Sequence, residues 1–285
     1  MVAPIVTLTT DFGLSDPYVA QMKAPILSIA PEARIVDLTH QIAPQAVSEA
    51  AFVLETSWRF FPEGSIHLVV VDPGVGTSRR RLVMQAQGHY FVGPDNGCLS
   101  AALPEEARGL RPAEAGYEAR MVRVPSGVVA VSAERLEALP RPPSATFEGR
   151  DVFAPLSALL ASGADAAAFG PLLETIFAFP AFRGPAVPGG LDGMVIRVDR
   201  FGNLITDIRG EDLRPGAGVR IAGEELPVAR TYGEARGLAA IVGSSRYVEI
   251  AMRNGNAAAA LAAGPGTAVM VTLPAWTGPN AATAN

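Results

Sequence analysis

The run Ile66-His67-Leu68-Val69-Val70-Val71, closed by Asp72-Pro73-Gly74, constrains the fold more than any other part of the chain. It is too short for an ordinary helix, rich in β-branched residues, and sharply stopped by Pro and Gly. Consecutive apolar residues in a strand point to opposite faces, so both faces of this one must be covered. The sequence before it supplies the cover. Ile5-Val6-Thr7-Leu8 and Ile35-Val36-Asp37-Leu38 read as strands, and the stretches 18–29 and 48–60 read as helices. In the first helix Val19, Met22, Ile26 and Ile29 recur three or four residues apart. Strand, helix, strand, helix, strand predicts an α/β N-terminal domain with a mostly parallel central sheet.

Residues 82–92 and 117–131 read as further strands, separated by the turn Pro94-Asp95-Asn96-Gly97. A helix is expected over 151–162, with Asp151 as N-cap and Gly163 just past the end. Around 179–192 the pattern changes: Pro180, Pro185, Pro188 and Gly189-Gly190 interrupt it without periodicity, as in a linker. Beyond it come short strands at close spacing (194–199, 203–208, 218–222, 226–231, 238–242, 247–252 and 267–273) and a short helix near 256–262. That predicts a small all-β, barrel-like C-terminal domain. The expected division is an α/β domain over 1–178, a linker over 179–192, a β domain over 193–274 and a loose tail over 275–285.

Composition excludes several classes of function. Of the 285 residues 49% are apolar and 18% charged, so the chain has ample material for cores. The net charge is −5 and no basic run exceeds Arg79-Arg80-Arg81, which argues against a nucleic-acid partner. The single cysteine, Cys98, and three scattered histidines leave no disulfide and no cysteine- or histidine-rich metal centre. The first residues lack the basic and apolar regions of a signal peptide, and no apolar run is long enough to span a membrane. The expected location is cytoplasmic.

In parallel sheets ligands bind beyond the carboxyl ends of strands. Asp11 and Asp72 stand at two such ends, and Gly74 and Gly76 let the loop after Asp72 approach a ligand closely. The loop matches neither Gly-x-x-x-x-Gly-Lys-Ser/Thr nor Gly-x-Gly-x-x-Gly, so ATP and NAD are not indicated. Both carboxylates could equally do no more than hold their own loops. No Gly-x-Ser-x-Gly elbow is present. Cys98 and His67 read as core residues, and His40, just past a strand, as a structural hydrogen-bonding group.

Six segments, in order, resemble one family: Leu8-Thr9-Thr10-Asp11-Phe12-Gly13, Val36-Asp37-Leu38-Thr39-His40-Gln41-Ile42, Val71-Asp72-Pro73-Gly74-Val75-Gly76-Thr77, Gly93-Pro94-Asp95-Asn96-Gly97, Gly149-Arg150-Asp151-Val152-Phe153-Ala154-Pro155 and Asp199-Arg200-Phe201-Gly202-Asn203-Leu204-Ile205-Thr206. Together they look like the S-adenosyl-L-methionine (SAM) hydroxide adenosyltransferases, relatives of the fluorinase and chlorinase. The resemblance implies hydrolysis of SAM to adenosine and L-methionine without cofactor or metal. It also implies a homotrimer whose sites lie between the N-terminal domain of one subunit and the C-terminal domain of the next. Carried over, Asp11 would hold the ribose hydroxyls with Asp16 and Tyr18 nearby. Asn203 and Phe201 would face the adenine, and the backbone at Arg253-Asn254 would edge its pocket. Asp199 and Ser244-Ser245 would bind the methionine ammonium and carboxylate.

In that family an Asp, Arg and His set activates water. Asp72 and Arg79 match the first two, but Glu148 stands where the family has His, and an ionised Glu cannot donate a hydrogen bond. If Glu148 takes that place, Glu148→His is expected to raise turnover. Two alternatives follow. A halogenase would use halide as nucleophile, but those enzymes carry Tyr and a small or hydroxyl residue where this chain has Asp72 and Val75, and an aromatic where it has Gln45. A carboxylate beside a halide is electrostatically costly. The other alternative is a SAM- or adenosine-binding protein that has lost turnover through Glu148.

Overall fold

The computed structural model describes residues 3–137, 139, 140 and 142–274. The tail expected over 275–285 lies outside the described residues. Two compact units emerge: one holds the chain up to Gly109 with Tyr117–Ala181, the other Leu110–Gly116 with the chain from Phe182 onward. The stretch 179–192, expected as a linker, carries β9 (Ala186–Val187) and the start of β10 (Gly190–Val198), so its prolines and glycines punctuate strands. Segment 110–116 joins the second unit through Arg111. Its guanidinium is buried and bonds Asp207 at 3.1 Å and Asp192 at 3.2 Å.

The first unit is built on β1 (Ile5–Thr10), α1 (Tyr18–Ile29), β2 (Arg34–Thr39), α2 (Val47–Glu55), β3 (Ile66–Val70), β4 (Arg81–Ala86) and β5 (His89–Pro94). Then come α3 (Glu105–Arg108), β6 (Arg120–Arg123), β7 (Val129–Ser132), α4 (Ala154–Ala161) and β8 (Thr175–Ala178). Six strands form one sheet in the order β2-β1-β3-β5-β4-β7, and β6 pairs with β8 apart from it. The sheet is mixed. β2, β1, β3 and β5 pair in parallel, while β4 runs antiparallel to both β5 and β7.

All five residues of β3 are buried. Leu68 and Val70 pack with Met22 and Ile26 of α1 and Leu156 of α4, while Val69 and Val71 pack with Leu54, Trp58 and Phe91 on the opposite face. The alternation puts His67 inside, where Nδ1 meets Thr7 Oγ1 at 2.9 Å and Nε2 meets His89 Nδ1 at 3.2 Å. Burial, and next the neighbouring His89, push the His67 pKa down to about 3.

Three local expectations are revised. The strand over 82–92 is a hairpin, turned at Gln87 and Gly88, whose φ angles are 52° and 77°. Asp151 is not an N-cap; its carboxylate accepts from the Ser144 amide at 3.0 Å and from Arg150, inside a π-helical turn, Gly149–Phe153, that leads into α4. The helix over 48–60 stops at Glu55 and resumes as one 3₁₀ turn, Trp58–Phe60.

The second unit is a nine-stranded sheet curled around one core of Val195, Leu204, Ile208, Val219, Ile250, Val271 and their neighbours. After β9 and β10 it contains β11 (Leu204–Arg209), β12 (Gly218–Ile221), β13 (Glu224–Leu226), β14 (Val228–Ala229), β15 (Leu238–Val242), β16 (Tyr247–Met252), α5 (Ala257–Leu261) and β17 (Ala268–Thr272). β10 gives its first half to β17 and its second half to β11, the bend by which such a sheet becomes nearly closed and barrel-like.

Candidate active site

Parallel pairing sets Thr10 beside Val70, so the chains leaving β1 and β3 carry Asp11 and Asp72 to the same sheet end. The connection after β1 goes to β2 on one side, while β3 and β5 lie on the other; at such a switch point a crevice opens. A cavity of about 460 Å³ lies there, lined among others by Asp11, Phe12, Tyr18, Gln45, Asp72, Val75, Phe147 and Glu148. That volume falls in the range of small-ligand sites.

One wall is aromatic. Phe12, Tyr18 and Phe147 meet edge to face in all three pairs, at centroid distances of 5.8, 5.6 and 5.3 Å. On the rim, the Gln45 amide donates to Asp11 Oδ2 at 2.9 Å, with Gln45 held at φ 67°. His40 is a structural residue here: its Nδ1 meets Thr10 Oγ1 at 2.9 Å and its Nε2 lies 3.2 Å from Asp37. Cys98 is buried and unpaired, and burial, with Asp72 and Asp95 nearby, holds its thiol well above its ordinary pKa.

The floor is an ionic network. Arg79 Nε donates to Asp72 Oδ1 at 2.9 Å, and its Nη2 bridges Asp72 Oδ2 and Glu148 Oε2, the latter at 2.6 Å. Arg81 grips the other Glu148 oxygen through Nε at 3.0 Å and through Nη2. Burial alone would lower the Arg79 pKa; the bonds to Asp72 and Glu148 outweigh it and raise the pKa. The three arginines divide between two carboxylates as the chain enters β4. Arg79 and Arg81 reach Glu148, while Arg80 turns away to Asp95 at 2.7 Å. Loops 72–79 and 144–148 close tightly over this network: Gly76 has φ 78°, and a Cβ there would stand 2.6 Å from the Ala145 carbonyl oxygen.

The second unit carries a cavity of about 710 Å³ lined by Asp199, Phe201, Asn203, Tyr232, Ser244, Glu249, Arg253 and Asn254 among others. Asp199 organises its turn, accepting from the Phe201 amide at 2.8 Å, the Asn203 amide at 2.9 Å and the Asn203 side chain at 2.9 Å. Gly202, at φ 83°, presses on the Asn256 side chain, leaving no room for a Cβ. Glu249 accepts the Tyr232 hydroxyl, and burial, opposed by that bond and reinforced by Asp199, raises the Glu249 pKa. Asp16 and Ser245 lie outside both linings; Asp16 is exposed and accepts from its neighbour Ser15 at 3.4 Å.

Arg81 and Glu249 were not singled out from sequence. The signal for Glu249 is a carboxylate inside the apolar strand Tyr247-Val248-Glu249-Ile250-Ala251. For Arg81 it is the alternation of the arginine run.

Models of the SAM hydroxide adenosyltransferase N-terminal and C-terminal domains match residues 6–170 and 193–270. The chain belongs to the SAM hydroxide adenosyltransferase family. It is 39% identical to an (R)-S-adenosyl-L-methionine hydrolase of Thermus thermophilus, over 88% of this chain and 93% of the relative. It is 37% identical to a protein of the same name from Salinispora arenicola, over 94% and 98%. Among solved structures, an uncharacterized conserved protein from Thermotoga maritima superposes with a TM-score of 0.80 at 34% identity, covering 94% of this chain and 99% of that one. No helix among the described residues is long and apolar enough to cross a membrane, and no cluster of three or more metal-ligating side chains occurs among them.

Proposed function

We propose that this chain hydrolyses SAM to adenosine and L-methionine by in-line attack of water on C5′, with SAM as substrate and no cofactor. The observation that carries the reading is the Asp72–Arg79–Glu148–Arg81 network at the floor of a cavity rimmed by Asp11 and walled by aromatic rings. The sulfonium departs as a neutral thioether, so the reaction needs no acid to protonate a leaving group. It needs an oxygen nucleophile held in line and a group that takes its proton as the bond forms. Asp72 serves that second role. Arg79 binds both of its oxygens and fixes the carboxylate, and each oxygen keeps a lone pair for water. Asp11, steadied by the Gln45 amide, turns its other oxygen to the ribose hydroxyls, and Tyr18 packs beside it.

The cavity of the second unit takes the remaining substrate. Asn203 and Phe201 face the adenine, the Arg253-Asn254 backbone edges it, and Asp199 with Ser244 binds the methionine end. In this reading the active site closes between the first unit of one subunit and the second unit of the next in a cytoplasmic homotrimer. Asp16 and Ser245 contribute only if assembly brings them to the site. A halide nucleophile is disfavoured because the cavity is lined by the oxygens of Asp72 and Glu148, while the guanidinium groups that balance them are outside its lining and occupied by those oxygens. The relatives' names specify the (R) sulfonium epimer, and the same epimer is proposed here.

The test is incubation of purified protein with each sulfonium epimer of SAM, with and without chloride and a chelator, with products separated by chromatography. Adenosine and methionine from the (R) epimer, unaffected by either addition, support the reading. 5′-Chloro-5′-deoxyadenosine as main product, or binding without turnover, contradicts it.

A further inference from the structure

We propose that Arg81 is a positioning residue of the active site: it grips Glu148 and, through Glu148, fixes Arg79 against Asp72. The inference rests on the hydrolase reading above and extends it to a residue that does not line the cavity.

Charge and burial together create the need for it. Asp72, Arg79 and Glu148 have side chains between 4% and 10% exposed, so three charges sit nearly out of water. With Arg79 alone, two carboxylates would share one guanidinium, and Arg79 Nη2 already serves both. Two such buried anions repel each other, and one guanidinium offsets only part of that repulsion. Arg81 supplies the missing positive charge. It enters from the rim, with its side chain 29% exposed, and closes a fork of two N–H groups on Glu148 Oε1. The network then holds two cations and two anions.

Both anchors of this contact are rigid. Arg81 opens β4, where its backbone sits opposite Pro94, and its carbonyl accepts the Ala133 amide at 2.8 Å. Glu148 directly precedes the helical segment that runs into α4 and is 3% exposed. A side chain joined to two fixed elements transmits position. Glu148 held by Arg81 presents Oε2 to Arg79 at 2.6 Å, which aims the Arg79 fork at Asp72. The other titratable groups around the network leave this balance unchanged. Cys98 is kept as a neutral thiol, and Arg150 and Asp151, next along the chain from Glu148, bond each other at 2.7 Å.

The experiment compares Arg81→Met, Arg81→Lys, Glu148→Gln and the double variant Arg81→Met/Glu148→Gln with the native protein, reading kcat, KM and the pH profile of turnover. Arg81→Met is expected to lower kcat about ten- to a hundredfold, as loss of alignment does, with KM little changed. Its acidic limb should move to higher pH, because two carboxylates then share one guanidinium. Arg81→Lys keeps the charge and should retain most of the turnover. The double variant removes one cation and one anion together and should be more active than Arg81→Met alone. A merely structural arginine would move neither the pH limb nor show that rescue. Native kcat and an unmoved profile in Arg81→Met would overturn the proposal, as would a double variant no better than the single one. If the native protein makes no adenosine, the hydrolase reading fails on its own. The charge balance is then read in unfolding midpoints at pH 7, where the double variant should regain part of what Arg81→Met loses, and equal losses would overturn it.

Discussion

Replacing Asp72 by Asn removes the negative charge at the cavity floor while nearly conserving shape. Asp72 now accepts at both oxygens from Arg79, at 2.9 Å from Nε and again from Nη2. In the Asp72→Asn variant one of those positions becomes an amino group facing the Arg79 donors, and the remaining oxygen is too weakly basic to take a proton from water. If Asp72 is the general base, its loss should lower kcat by about 10²–10⁴-fold, or about 3–5 kcal/mol of barrier. KM should change little, because Asp11, Asp199 and Asn203 hold the substrate in the proposed complex. The assay is the initial rate of adenosine release under saturating SAM, with the unfolding midpoint measured in parallel to show that the variant is folded. A folded Asp72→Asn protein turning over within about twofold of the native rate would refute the assignment of Asp72 as base.

Arg81 changes what Glu148→His should do. A histidine between Arg79 and Arg81 removes the carboxylate that Arg81 grips and faces two cations, so the single substitution should lower turnover; Glu148→His with Arg81→Leu should recover it, as the same rate assay will show. Buried His67, neutral down to about pH 3 in the folded chain and to about 6.5 when unfolded, contributes stability that is full above 6.5 and lost as the pH falls toward 3. Denaturant midpoints of native protein and His67→Gln should therefore converge between pH 7 and pH 4; a constant gap would contradict the neutral buried histidine. Gly76→Ala should destabilise the protein by about 1–3 kcal/mol and slow turnover, since the added Cβ meets the Ala145 carbonyl oxygen at 2.6 Å with φ at 78°, and thermal unfolding will read the loss.

The apolar run 66–71 made the α/β layer legible because burial on both faces leaves an unbroken pattern, and Asp11 and Asp72 were legible because strand ends in such a layer carry sites. The second cavity's Asp199, Phe201 and Asn203 stood out by resemblance of one short turn. What stayed hidden depends on partners far apart in sequence. Glu148 lies 67 residues from Arg81, and Arg111 lies 81 from Asp192 and 96 from Asp207, so neither local propensity nor spacing announces these contacts. The hairpin at Gln87-Gly88 is hidden for a different reason: glutamine rarely takes the positive φ that this tight turn requires.

In the proposed reaction a water oxygen becomes bonded to C5′ of the adenosyl group while Asp72 takes its proton. Single-turnover reaction in oxygen-18 water, followed by mass spectrometry of both products, follows that oxygen. One heavy oxygen is expected in adenosine, located on the 5′-hydroxyl, and none in methionine. Unlabelled adenosine, or label carried by the methionine product, would rule out water attack at C5′.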